Sequence, residues 1–150
     1  MKQAIALTLV IVTLISCHSS PTQEEQMQLQ GTWELISGTT IEKSDTVNTD
    51  YTRDRHMIKI INATHFAFLL HDLSKGKDSV IYSSGGGRYT LVNDQYTEHL
   101  DYCSDRQWEN HTFQFTVSLK NDTLVQTGIE KLEDAGINRL NIEKYKRVKN

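Results

Sequence analysis

Gly31-Thr32-Trp33-Glu34-Leu35 is the first stretch in which the chain commits to a packed fold. Gly31 lets the backbone turn where a Cβ would clash. Trp33 carries the largest apolar side chain available and opens an alternation, with Leu35 on its own face and Glu34 and Ile36 on the other. A period of two marks a strand with one buried side.

The same period recurs downstream. The residues after Thr39 are rich in Thr, Asp and Ser and read as a long loop. From Met57, Met57-Ile58-Lys59-Ile60-Ile61 reads as a strand. Asn62-Ala63-Thr64 is its turn, and His65-Phe66-Ala67-Phe68-Leu69-Leu70 the returning strand of a hairpin. Lys75-Gly76-Lys77-Asp78 is a second turn, followed by a short strand over 79–83. Gly85-Gly86-Gly87 lacks the Lys-Ser/Thr of a phosphate-binding loop, so these glycines read as a bend or bulge before Arg88-Tyr89-Thr90-Leu91-Val92. Further strands are predicted over 95–103, 110–120, 123–130 and 139–149, with 131–138 a connection holding one helical turn. Residues 24–30 contain neither Gly nor Pro and predict a helical turn or two, placing Met27 and Leu29 beside the barrel mouth. Short strands joined by tight turns must pair antiparallel. The fold class is therefore all-β, an antiparallel barrel of about eight strands, with a sandwich as the alternative.

A Gly-x-Trp opening the first strand of such a chain resembles the lipocalin-like β-barrels. The Gly-Gly-Gly-Arg-Tyr-Thr-Leu segment from Gly85, Tyr96-Thr97-Glu98-His99, and Asp122-Thr123-Leu124-Val125-Gln126-Thr127-Gly128 are similar to segments of small lipocalin-like bacterial lipoproteins. The resemblance covers Leu29 to Val148. It implies that Gly31 and Trp33 close the base of the barrel, with an Arg from the end of the last strand laid across the indole. Arg147 is that Arg here. In fatty-acid-binding barrels an interior Tyr and Arg near the C-terminus hold a ligand carboxylate, so Tyr145 and Arg147 are also candidate ligand residues. The order Tyr-x-Arg is the reverse of that pattern, which favours the lid for Arg147.

The N-terminus reads as a leader. Met1-Lys2 is a short positive start, and 4–15 is an apolar run too short to span a membrane stably. It ends in Leu14-Ile15-Ser16-Cys17, which resembles the lipobox of bacterial lipoproteins. The resemblance implies a signal peptide over 1–16, lipidation of Cys17, a polar tether over 17–28 and a barrel domain over 29–150. It places the protein in the bacterial cell envelope, lipid-anchored at the outer membrane. Two or more acyl chains would hold it there firmly. Cys103 is then the one remaining thiol, so the fold needs no disulfide. Loss of Lys2 with the leader takes the formal net charge from −3 to −4, and no basic stripe is visible. Nucleic acid is therefore not an expected partner.

Alternation places Tyr96, Glu98, Leu100 and Tyr102 on one face, suited to lining a partly polar cavity, and Thr97, His99, Asp101 and Cys103 on the other. Phe113 and Phe115 share a face of their strand, and Glu143, Tyr145 and Arg147 point inward on the last. The candidate ligand-binding residues are therefore Tyr89, Tyr96, Glu98, Tyr102, Phe113, Phe115, Tyr145 and Arg147. No zinc spacing, Gly-x-Ser-x-Gly or cofactor fingerprint is present, and no metal, cofactor or catalytic residue is assigned. The expected function is binding of a small apolar or amphipathic ligand, with the membrane as second partner through the anchor. A structural or interaction module with a side-chain-filled barrel is the alternative. A hydrolase or isomerase using Glu98, His99 or Glu143 is a third.

Overall fold

The computed structural model describes residues 27–149. The expected signal peptide, Cys17 and most of the expected tether lie outside the described residues. Nine strands form one antiparallel sheet: β1 (Gly31–Glu42), β2 (Asp45–Asp50), β3 (Arg55–Ile61), β4 (His65–Asp72), β5 (Tyr82–Val92), β6 (Gln95–Cys103), β7 (His111–Lys120), β8 (Thr123–Leu132) and β9 (Ile137–Arg147). β1 pairs with β9 along most of its length, and its first residues, Gly31 to Glu34, pair with β3. Those two seams close β1 and β3–β9 into an eight-stranded up-and-down barrel. β2 extends as a hairpin partner of the second half of β1, from Ser37 to Glu42.

Several local expectations are corrected. The Thr- and Asp-rich stretch after Thr39 is a hairpin arm rather than a loop, because its Thr residues suit an exposed pleat as well as a turn. Met27–Gln30 are not helical, and Leu29 is buried at the closed base rather than at the mouth. The short strand expected over 79–83 is instead the start of β5, which begins at Tyr82 and runs through the three glycines, and the bulge expected at those glycines is present opposite Gly87. Residues 131–138 hold no helical turn; β8 continues to Leu132 and β9 begins at Ile137. Asn121 and Asp122 both have positive φ, 48° and 59°, which is the backbone of a tight hairpin turn whose twist matches its strands.

The base is packed. Trp33, Leu35, Tyr96, Val117, Leu124 and Tyr145 are essentially inaccessible. Trp33 lies directly opposite Arg147 across the β1–β9 seam, and the guanidinium carbon sits 4.1 Å from the indole centroid. Arg147 also donates from Nη1 to Gln30 O (2.7 Å) and from Nη2 to Gln28 O (2.8 Å), while Trp33 Nε1 donates to Leu29 O (2.8 Å). Gly31 has φ 139°, and a Cβ there would stand 2.7 Å from Arg147 Nη1. The expected lid over Trp33 is therefore present, and it ties the incoming chain to the last strand.

Two irregularities set which side chains face inward. Leu35 pairs with Tyr145 but Ser37 with Lys144, so a bulge at Ile36 turns Gly38 and Thr40 to the interior. On β6, Gly86 pairs with Tyr102 and Arg88 with His99, so Gly87 alone stands opposite Leu100 and Asp101. A Cβ on Gly87 would lie 1.9 Å from His99 O, which is an impossible contact.

Gly87→Ala should therefore cost at least about 3 kcal/mol, the upper range for overpacking. Gly136→Ala should cost only about 1–2 kcal/mol for its left-handed backbone, since φ is 67° and nothing lies within 4 Å of the added Cβ. Urea unfolding of the two variants reads the difference. Equal costs would contradict the β6 bulge.

Candidate functional site

The upper half of the barrel is hollow. A cavity of about 370 Å³ opens at the end that carries the β4–β5, β6–β7 and β8–β9 connections. Its apolar wall comes from Met57, Phe68, Leu70, Leu100, Phe113 and Phe115, with Tyr51 and Trp108 toward the rim. Glycine at position 85 makes room for the Phe68 ring, whose edge would lie 2.7 Å from a Cβ there.

The floor is polar. Lys59 on β3 is 2 % exposed. Its ammonium is in direct ion-pair contact with Glu98 of β6, off the axis of a good hydrogen bond, and donates to Gln126 Oε1 of β8 at 2.9 Å. The rings of Phe66, Tyr96 and Tyr145 stand 5.3, 5.4 and 5.5 Å from it, a three-sided aromatic cage. Burial pushes the Glu98 carboxyl above the usual range; Lys59 opposes that shift and the charge of Glu143 adds to it. Burial likewise raises the Tyr145 hydroxyl, which donates to Glu143 Oε2 at 2.8 Å. The Tyr96 hydroxyl is buried beside Glu98 without a hydrogen bond of good geometry, and its pKa is raised by burial.

A second polar group guards the mouth. Arg139 Nε pairs with Glu130 Oε2 at 2.7 Å, Asn141 donates to the other Glu130 oxygen at 3.0 Å, and the Arg139 guanidinium lies 5.1 Å from the Trp108 centroid. Glu130 is also raised, first by burial.

Of the residues expected to bind ligand, Glu98, Phe113, Phe115 and Tyr145 line this cavity. Tyr96 lies beneath its floor. Tyr89 sits at the base, its hydroxyl donating to Asn62 O at 2.8 Å and its ring 5.2 Å from Tyr96. Arg147 is spent on the Trp33 lid. Tyr102 is 72 % exposed on the outer surface, because the β6 bulge reverses the alternation after Leu100 and turns Cys103 inward instead. His99 also faces outward, against Thr112 Oγ1 at 3.0 Å, and does not meet Glu98 or Glu143. Cys103 is half-buried at the cavity wall, where burial pushes its thiol up against the lowering effect of the Asp105 backbone N–H, and the charges of Asp105 and Glu109 add to the rise, the reverse of activation.

Lys59, Gln126, Tyr51 and Trp108 were not singled out by sequence. Lys59 shares a face with Met57 and Ile61, but Ile58 and Ile60 make the opposite face equally apolar, so alternation could not orient it. Tyr51 and Trp108 lie between strands, where periodicity carries no signal. Fold and site define a closed antiparallel barrel with a packed base and a mixed-polarity cavity in its other half. Neither a scan against protein-family models nor a search of curated proteins finds a match for the chain.

The floor makes two predictions. Lys59→Met strands Glu98 and should cost about 3–5 kcal/mol, whereas Lys59→Met with Glu98→Leu should recover most of that loss; denaturant titration checks both. Glu98 and Glu130 hold protons more tightly folded than unfolded, so their contribution to stability is complete below the ordinary value of 4.5 and is lost as pH rises through the raised folded midpoints. Carbon-detected NMR of the side-chain carboxyls should place both midpoints above 4.5 and move Glu98 higher still in Lys59→Met. A Glu98 midpoint below 4.5 would mean that Lys59 outweighs burial.

Proposed function

We propose that this protein is a lipocalin-like lipoprotein of the bacterial cell envelope whose barrel holds a small apolar or amphipathic ligand. The observation that carries the reading is the cavity of about 370 Å³, with apolar and aromatic walls and a few polar groups at floor and mouth. That size and composition fall in the range of small-molecule sites. The alternative of a barrel filled by its own side chains describes only the lower half. The anchor rests on the lipobox-like Leu14-Ile15-Ser16-Cys17, with the acyl chains on Cys17 tethering the barrel to the membrane.

The neutral solvatochromic probe N-phenyl-1-naphthylamine should brighten on binding at micromolar concentration and be displaced by octanol. Leu70→Trp, which fills the cavity from its wall, should weaken binding at least about tenfold while the circular dichroism of the barrel is retained. A folded wild-type barrel that leaves the probe dark at tens of micromolar would return the filled-module reading. For the anchor, detergent phase separation of cell extracts should send the wild type to the detergent phase and Cys17→Ala to the aqueous phase or leave it with an uncleaved leader. Identical partitioning would remove lipidation from the account.

A further inference from the structure

The charges inside the cavity do not balance. Its lining carries two cations, Lys59 and Arg139, against the carboxylates of Glu98, Glu130 and Glu143, with Asp105 a fourth at the rim. Both cations are engaged: Lys59 by Glu98 and Gln126, Arg139 by Glu130 and the face of Trp108. Glu143 has no Lys, Arg or His within ion-pair distance among the described residues. Tyr145 holds one of its oxygens, Oε2, and Oε1 accepts no hydrogen bond among the described residues.

The position of Glu143 explains why it is left free. On β9 it stands between Gln126 of β8 and Gly38 of β1. The amide oxygen of Gln126 is taken by Lys59, and its amide nitrogen makes no hydrogen bond to Glu143 among the described residues. Gly38 presents no side chain, and the space above it is taken by the edge of the Tyr51 ring, 3.2 Å from where a Cβ would be. Glu143 is thus a half-buried carboxylate set in the cavity wall, with one oxygen fixed by the Tyr145 hydroxyl and the other open to an occupant.

We propose that the ligand is cationic: an amine or guanidinium on a short apolar body, with Glu143 as its counter-ion. The inference deepens the ligand-binding reading and rests on it. A positive head group at the open oxygen of Glu143 gains a charge-assisted hydrogen bond in a partly buried site, with its apolar body against the cavity wall. An anionic head group would meet an excess of carboxylates with both cations already taken. The cavity volume suits a single short chain rather than a two-chain lipid.

Octylamine, octanol and octanoate share one chain and differ in head-group charge. Isothermal titration of the folded barrel with each should rank octylamine first by about tenfold over octanol, the worth of one charge-assisted hydrogen bond in a partly wet site, with octanoate weakest. In Glu143→Gln the amine should lose that advantage while octanol binds as before. Should that variant fail to fold, the ranking on the wild-type protein decides alone. Octanol equal to octylamine, octanoate ranked first, or an amine advantage intact in folded Glu143→Gln would each overturn the inference while leaving a ligand-binding barrel. Failure of all three to bind would overturn the ligand-binding reading and this inference with it.

Discussion

Arg147 laid over the indole of Trp33 is the contact on which the rest of the barrel depends. It joins the first strand to the last, at opposite ends of the described chain. The guanidinium also takes up the carbonyls of Gln28 and Gln30, backbone groups that precede β1 and lie outside its strand pairing. One side chain therefore closes the sheet, covers the largest buried residue and fixes how the chain enters the fold. Gly31 is the condition for this arrangement, since any Cβ there would displace the guanidinium. A closed barrel has no long open edges to pair with other chains, and only the β2 hairpin extends beyond the seam.

With the base closed by apolar packing, polar residues concentrate in the half that remains. Lys59 is the hinge between the two regions. It lies at the top of the packed layer, caged by Phe66, Tyr96 and Tyr145, and turns its charge toward Glu98 and Gln126 at the cavity floor. A buried ion pair of this kind contributes little net stability compared with apolar residues of equal volume. Its presence is better understood as setting the polarity of the space above it. Glu143 and the Arg139–Glu130 pair continue that polarity to the mouth.

The sequence made the base legible and the cavity only partly so. Trp33, Arg147 and the inward set Glu143, Tyr145 and Arg147 could be read because β9 runs without a bulge and its alternation holds throughout. Tyr102 was misplaced because a single extra residue on β6 reverses every later side chain. The cause, a Gly87 with no room for a Cβ, is a property of the neighbouring strand. Lys59 was passed over for a different reason. In a strand apolar on both faces, a lone Lys looks like a solvent residue until its partners on β6 and β8, far away in sequence, are known. β2 was hidden because exposed Thr and Asp serve a hairpin arm and a loop equally well.

Closure through Trp33 and Arg147 is tested most directly by a double-mutant cycle using Trp33→Phe and Arg147→Met, which keep most of the burial and the aliphatic stem. Denaturant unfolding of the wild type, both single variants and the double variant gives the coupling. The contact predicts that the double variant loses less than the sum of the single losses, by about 0.5–2 kcal/mol. Losses that add to within a few tenths of a kcal/mol would show the two side chains to be energetically independent and would contradict a barrel closed at this seam.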